Sequence, residues 1–185
     1  VKGRLRRGLL KNILYNGSSE FFTNISGSLL MIIVNSLLLH LEGSRAVAAF
    51  SIVMYVDSVT ASLLYGLADS MQPAISYCYG ARLSRRMLAF EKRVLLAGAL
   101  ISAAAFLAMR LGGRALLPLF VGDGDPALIE MSLQAMTLFS FSYLTGWAGV
   151  GLSSFFTAVD RPALSLGLSL GRSLLFPLLI LACLV

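Results

Sequence analysis

The feature that most constrains this chain is a succession of long apolar stretches separated by short polar breaks. A run of about 20 apolar residues is long enough to cross the ~30 Å hydrocarbon layer of a bilayer as a helix. Charged residues make up only 13% of the chain, which is about half the usual share in a soluble domain. The sequence therefore predicts an all-α fold: a polytopic transmembrane helix bundle with about five spans.

The five predicted spans cover residues 17–41, 46–79, 93–109, 127–159 and 163–185. The second is unusually long, because its residues would form roughly 50 Å of helix. It must tilt, break or protrude, and Gly66 and Pro73 are the expected break points. The chain starts at Val1 and its last apolar run reaches Val185, so we expect truncation at both ends.

The basic residues predict how the bundle lies in the membrane. Lys and Arg in alternate segments outside the spans sum to eleven on one side and three on the other. Cytoplasmic loops carry the excess of basic residues, so the N-terminus is predicted to be cytoplasmic, in a cell (inner) membrane. Residues 1–16 form a basic cytoplasmic connector. The net charge of +6 is thereby explained by contact with the bilayer, and nucleic acid is not expected as a partner.

Polar and ionisable residues inside the spans are the main functional signal. A charge there costs about 2.5–3.5 kcal/mol, so each should face the bundle interior or a wet cavity. Asp57 either acts in transport or pairs with a base from another helix. Arg172 is either such a partner or a residue that snorkels to the interface. Glu20 is either an ion-exchanging carboxylate or a helix-start carboxylate. The candidates for ion coupling or the substrate pathway are Glu20, Asn24, Asn35, Asp57, Tyr65, Asp69 and Gln72.

Motifs of catalysis and metal binding are weak or absent. The chain has no HExxH, Walker loop or GxSxG string. Residues 122–125 spell GDGD, which fits the short GxGD pattern of intramembrane aspartyl proteases, but Pro126 follows directly and predicts a turn. We therefore expect a protein that is not an enzyme, with no cofactor, no catalytic residue and no assigned metal site. Gly167 and Gly171 form a GxxxG step of the kind that lets helices approach closely.

One segment carries a family signature. The string GLADSMQPAISYCYGAR at the end of the second span resembles the multidrug and toxic compound extrusion (MATE) family. The residues that carry this likeness are Gly66, Gln72, Pro73, Tyr77 and Gly80. The resemblance implies a twelve-helix transporter made of two six-helix lobes, of which this chain is similar to the C-terminal lobe without its last helix. The missing N-terminal lobe is then its main protein partner.

The resemblance also implies a function: a secondary active antiporter that exports drugs or other organic cations in exchange for Na⁺ or H⁺. In some family members an acid in the region of Glu20 couples transport to the ion. This sequence departs from members that carry another acid within the fourth span, because only Glu130 lies there, near its outer start. The alternatives are a lipid-linked oligosaccharide flippase of the related superfamily and an intramembrane enzyme.

Overall fold

A computed structural model describes residues 7–121 and 125–184, and within these ranges every regular element is a helix, which confirms the all-α prediction. A π-helical segment, Gly171–Leu175, joins the last two helices. The α-helices are α1 (Arg7–Leu41), α2 (Ser44–Gly80), α3 (Ser84–Leu116), α4 (Pro118–Val121), α5 (Pro126–Ser140), α6 (Tyr143–Ala158), α7 (Pro162–Leu170) and α8 (Phe176–Leu184).

Several of these helices have the dimensions of membrane spans. Four described stretches are long and apolar enough to cross a bilayer, namely Phe21–Leu41, Ser44–Gly80, Ser84–Ala115 and Pro162–Cys183. The predicted fourth span, 127–159, is divided between α5 and α6, which have 15 and 16 residues. The two join at a tight turn in which the Ser142 amide donates to the Phe139 carbonyl at 2.9 Å. The fold is therefore a polytopic helix bundle, as the sequence predicts.

The helices extend beyond the predicted spans. α1 already begins at Arg7, inside the segment predicted as a connector, and α3 runs well past 93–109 at both ends. A helix can continue into the interface and into water, so helix bounds do not test the span limits, which stay predictions. α2 is one helix of 37 residues that contains Pro73, so the expected break at Gly66 or Pro73 is absent. A proline inside a membrane helix is tolerated where neighbours re-satisfy the freed carbonyl.

The centre of the bundle is formed by α2, α3 and α6. Along α2, Val53 shares a cluster with Met109 of α3 and Tyr143 of α6, while Ile75 shares one with Ala158 at the other end of α6. This order makes α3 antiparallel and α6 parallel to α2. α7 packs between α6 and α1. The consequence is that side chains from distant parts of the sequence meet along the shared face of α2 and α6.

Glycines mark where these helices come closest, and the predicted GxxxG pair is not among those positions. A Cβ added at Gly167 would meet nothing within 4 Å, and one at Gly171 would make only ordinary contact with Phe176 at 3.6 Å. A Cβ at Gly149 or Gly151 of α6 would instead lie 2.8 Å from a neighbouring side chain. Close approach therefore occurs along α6, where side chains of neighbouring elements pack directly against the backbone at Gly149 and Gly151.

Candidate functional site

Asp57, a predicted site residue, lies where α2 meets the beginning of α6. The Tyr143 hydroxyl donates a hydrogen bond to Asp57 Oδ1 at 2.9 Å, across 86 positions of sequence. Thr60, buried one turn further along α2, lies near the Tyr143 hydroxyl. Asp57 itself is half-buried. The carboxylate is thus held inside the bundle by a neutral hydroxyl and keeps part of its surface accessible.

Arg172 approaches the same face of α2 from the π-helical segment. Its Nη2 donates to the Tyr65 hydroxyl at 3.0 Å, and its Nη1 lies 3.5 Å from the Gly146 carbonyl oxygen of α6. The stem of the arginine runs across Gly149, where an added Cβ would lie 2.8 Å from Arg172 Cδ. Single π-helical turns are rare and frequently occur at functional sites. Gly149 therefore leaves the space through which the guanidinium reaches α2.

A small polar cavity lies beside Arg172, at the junction of α1, α2, α6 and α7. It has a volume of about 20 Å³, close to the space that one water molecule requires. Its lining includes side chains with hydroxyl, carboxylate and guanidinium groups, among them Thr23, Tyr65, Asp69, Ser154, Ser169 and Arg172. A cavity of this size and polarity suits a water molecule or a small cation, and it is too small for a drug-sized molecule.

These groups form a continuous feature that we call the polar strip: Asp57, Tyr65 and Asp69 of α2, Tyr143 of α6 and Arg172. Asp57 and Asp69 are twelve residues apart, so the strip runs roughly 18 Å along the helix. That length is more than half of the ~30 Å hydrocarbon layer. Arg172 also interacts electrostatically with Asp57. Two acids thus lie along a helix that is apolar enough to span a membrane, Asp57 half-buried and Asp69 exposed, and Arg172 approaches them from the π-helical segment.

The comparison with known families decides the identity of the chain. The family model described as MatE matches residues 21–181, a range that contains the whole polar strip. The chain belongs to the MatE family. This is a family of membrane transporters, so the bundle is a transmembrane transport protein. Comparison with curated proteins and with solved structures finds no match.

Other residues predicted for the site lie at the edges of the strip in this MatE protein or away from it. Gln72 Nε2 donates to Asp69 Oδ1 at 2.9 Å, which extends the strip by one turn. Asn24 lies on an exposed face of α1. Asn35 is half-buried on α1, and its Oδ1 has no hydrogen-bond partner among the described residues. Glu20 belongs to α1, but its side chain lies outside the described part, so its role stays a prediction.

Apart from Gln72, the signature residues of the MatE helix lie outside the strip. Gly66, Pro73 and Gly80 are exposed, and Tyr77 is exposed over 73% of its surface. Tyr77 lines a separate cleft of about 470 Å³ between the end of α2 and the start of α3, together with Arg86 and Arg93. Of the GDGD string, residues 122–124 lie outside the described residues. Asp125 accepts from the Ala127 amide at 3.0 Å and pairs with Arg45 at 2.8 Å.

Sequence reasoning missed a set of hydroxyls between α6 and α7, which we call the hydroxyl zipper: Ser153, Thr157, Ser165 and Ser169. Ser153 Oγ lies 2.9 Å from Ser165 Oγ and 2.6 Å from Ser169 Oγ, and Thr157 donates to Ser165 at 2.8 Å. Hydroxyls at i and i+4 on two successive membrane helices were the available signal.

The second missed residue is Glu91 of α3. The predicted third span starts at residue 93, so Glu91 fell outside the predicted spans and was not singled out. In the MatE bundle this side chain is only 6% exposed. The helical period was the available signal: Glu91 and Leu95 are four residues apart and share a face, on the side of α3 that packs on α6.

Proposed function

We propose that this MatE protein is a secondary active antiporter that exports drugs or other organic cations in exchange for Na⁺ or H⁺ by alternating access. The observation that supports this most directly is the half-buried Asp57 carboxylate, held by Tyr143 with Arg172 as its charged neighbour. An ionisable side chain inside a span is costly and characteristically marks an ion or substrate route. The protein acts in the cell (inner) membrane, with the N-terminus of this segment in the cytoplasm and the N-terminal lobe as its partner.

The coupling follows from competition for Asp57. While Asp57 is ionised, its attraction to Arg172 holds the π-helical segment close to α2 and α6. A proton or Na⁺ at Asp57 neutralises that attraction. The guanidinium is then held only by its contacts with the Tyr65 hydroxyl and the Gly146 carbonyl. A ligand moves a conformational equilibrium only by binding its two states with different affinity. Different pairing of Asp57 in the two states supplies such a difference.

The same face suits an organic cation. Tyr65 of the polar strip is exposed over 42% of its surface, on the helix that also carries Asp57 and Asp69. Aromatic faces attract cations within about 6 Å of the ring centre. Carboxylates on the same helix add a long-range attraction. A cationic drug that approaches α2 therefore competes with the coupling ion for the same negative charge, which is the requirement for exchange.

The test is dye efflux driven by an imposed H⁺ or Na⁺ gradient in proteoliposomes. We expect Asp57→Asn, and separately Glu20→Gln, to lower the efflux rate at least roughly tenfold, which corresponds to about 1.4 kcal/mol. Asp125→Asn, a change of the same kind at the start of α5, serves as the matched control and keeps its activity. Normal efflux in both Asp57→Asn and Glu20→Gln would refute the assignment, and gradient-independent movement of a lipid-linked sugar would instead favour the flippase.

A further inference from the structure

Glu91 is a buried carboxyl group without a partner. Its side chain is 6% exposed, and neither Oε1 nor Oε2 has a hydrogen-bond partner among the residues that the structure describes. It lies on α3, within the apolar stretch Ser84–Ala115. Buried polar groups in proteins are almost always hydrogen-bonded. A carboxyl group with both oxygens unsatisfied is therefore an exception that requires an explanation.

Glu91 lies beside α6 at Gly151. A Cβ added at Gly151 would lie 3.9 Å from Glu91 Oε1 and 2.8 Å from Leu95 Cδ2. We call this contact the Glu91 seam: Glu91 and Leu95 of α3 against Gly151 of α6. Glycine at this position lets the carboxyl group lie directly against the helix. The seam is closed because α6 approaches α3 here as closely as side chains permit.

Charged groups on the neighbouring elements do not compensate Glu91. α6 carries no acidic or basic side chain, and its titratable residue Tyr143 bonds Asp57 at the other end of the helix. α4 has no titratable group. α5 meets α3 near Gly113, roughly 33 Å along the helix from Glu91, and its Glu130 is exposed.

On α2, the titratable groups in the second half of the helix are Tyr65, Asp69, Tyr77, Cys78 and Tyr79. Tyr65 bonds Arg172, and Tyr77 and Tyr79 are exposed. Asp69 accepts from Gln72, and the Cys78 thiol lines the separate cleft beside Arg86 and Arg93. On α3 itself, Arg86, Lys92 and Arg93 are exposed. None of these groups hydrogen-bonds the Glu91 oxygens among the described residues. The seam therefore provides no fixed positive charge for an ionised carboxylate.

We propose that Glu91 is a proton-binding site, occupied in this conformation and closed by α6. An isolated ionised carboxylate in an apolar environment is strongly unfavourable, and the group neutralises instead. A metal ion is a poorer ligand for the seam, because no cluster of three His, Cys, Asp or Glu side chains occurs among the described residues. One carboxyl group against a glycine backbone and a leucine is sufficient for a proton and insufficient for a cation shell.

A role for Glu91 in transport rests on the proposed antiport function. Separation of α3 from α6 would admit water to Glu91 and release its proton, and closure would require the proton to return. The seam then adds a proton-dependent latch that is distinct from the Asp57 position. Because Glu91 lies against Gly151, a change in the distance between α3 and α6 changes the proton occupancy of Glu91.

The decisive measurement is proton occupancy in the purified protein, which does not depend on transport. Infrared difference spectra between the protein and its Glu91→Gln variant at about pH 7, where an exposed glutamate is ionised, should show one protonated-carboxyl C=O band lost in the variant. The matched control, Glu130→Gln, should lose no such band. Absence of the band difference for Glu91→Gln would overturn the proposal.

A hydrophobic carbodiimide locates the proton independently, without any variant. The reagent takes the proton from a carboxylic acid onto its nitrogen, the carboxylate adds to its central carbon, and the adduct rearranges to a stable N-acylurea. At about pH 7 we expect Glu91 to be labelled at least roughly tenfold more than Glu130, because an exposed glutamate is almost fully ionised there. Equal labelling of the two would contradict the site.

A transport assay tests the role of Glu91 in antiport separately from its proton occupancy. In proteoliposomes, Glu91→Gln should reduce the response of dye efflux to an imposed pH gradient at least roughly tenfold while dye binding is retained. If Glu91 carries a proton but Glu91→Gln responds normally to the pH gradient, the proposed role in transport is refuted and the proton-binding site is retained. Loss of proton-driven efflux in Asp57→Asn, with Glu91 still protonated, would show that the two carboxyl groups act separately.

Discussion

α6 meets polar side chains of α7 and of α3, and these two contacts differ in one respect. Towards α7, the Ser153 hydroxyl lies within hydrogen-bond distance of both Ser165 and Ser169. Towards α3, the Glu91 carboxyl group meets Gly151 and has no hydrogen-bond partner among the described residues. Ser153 and Gly151 are two residues apart, so they point to different sides of the same helix turn. Among the described residues, the contact of α6 with α7 is hydrogen-bonded and the contact with Glu91 of α3 is not.

The difference separates a structural contact from a switchable one. Small residues and hydroxyls hold membrane helices together through close packing and hydrogen bonds, each worth about 0.6 kcal/mol on average. A satisfied network of this kind has no group that gains from opening. An unsatisfied carboxyl group does gain, because water would solvate it once the helices part. We therefore expect α6 to stay with α7 during transport and to move relative to α3.

The largest expected effect comes from breaking the zipper. Ser153→Leu places a larger side chain where two hydroxyls now approach within 3 Å of Ser153, and it removes the oxygen that both share. Overpacking and the loss of a shared hydrogen-bond partner together should lower the free energy of unfolding by about 3 kcal/mol. SDS-titrated unfolding of the purified protein measures this.

The matched control is Ser62→Leu. Ser62 is exposed on α2, and its hydroxyl donates to the Ser58 carbonyl of its own helix at 2.7 Å. That substitution should leave the unfolding midpoint nearly unchanged. A Ser153→Leu protein as stable as Ser62→Leu would show that the α6–α7 contact does not depend on the zipper.

The seam should respond with the opposite sign. Glu91→Leu replaces a buried, unpaired carboxyl group with an apolar side chain of similar volume that can pack beside Leu95. A buried polar group left without a hydrogen-bond partner costs about 1–3 kcal/mol, so its removal should give a gain of about 2 kcal/mol in the same SDS titration. Glu130→Leu, at an exposed position of α5, serves as the control. A destabilised Glu91→Leu protein would mean that the carboxyl group has a partner and that the two sides of α6 are alike.

The comparison also separates what the sequence reveals from what it leaves open. Long apolar runs were sufficient to predict the all-α membrane bundle, because the bilayer dictates helix length and composition. Asp57, Tyr65 and Asp69 were predicted for the site because charge and aromaticity inside a span are conspicuous, and all three belong to the polar strip. Arg172 was weighed as a partner for Asp57, but its hydrogen bond to Tyr65 and the bond from Tyr143 to Asp57 could not be predicted, because both depend on the packing of distant helices.

Glu91 was missed for a related reason. Its sequence neighbours Lys92 and Arg93 are basic, so the local pattern favours a solvated helix end, and only the position of α6 determines that this one side chain is buried. The zipper was missed because serine is common and neutral, and its value depends on register between two helices. Asn24 and Asn35 show the converse, since polar character inside a span did not place them in the strip.

The smallest expected effect concerns how the zipper acts. Thr157 donates to Ser165 at 2.8 Å, and Ser165 is also bonded to Ser153, so Thr157→Val and Ser165→Ala each remove one contact that depends on the other. A double-mutant cycle in the same SDS titration should give a coupling energy of about 0.6 kcal/mol. Ser173→Ala combined with Thr157→Val is the reference pair, because the Ser173 hydroxyl bonds the Ser169 carbonyl of its own turn and should not couple. If the Thr157–Ser165 coupling is no larger than the reference, the hydroxyls act as separate helix-local bonds. The contrast with the Glu91 seam would then rest on Ser153 alone.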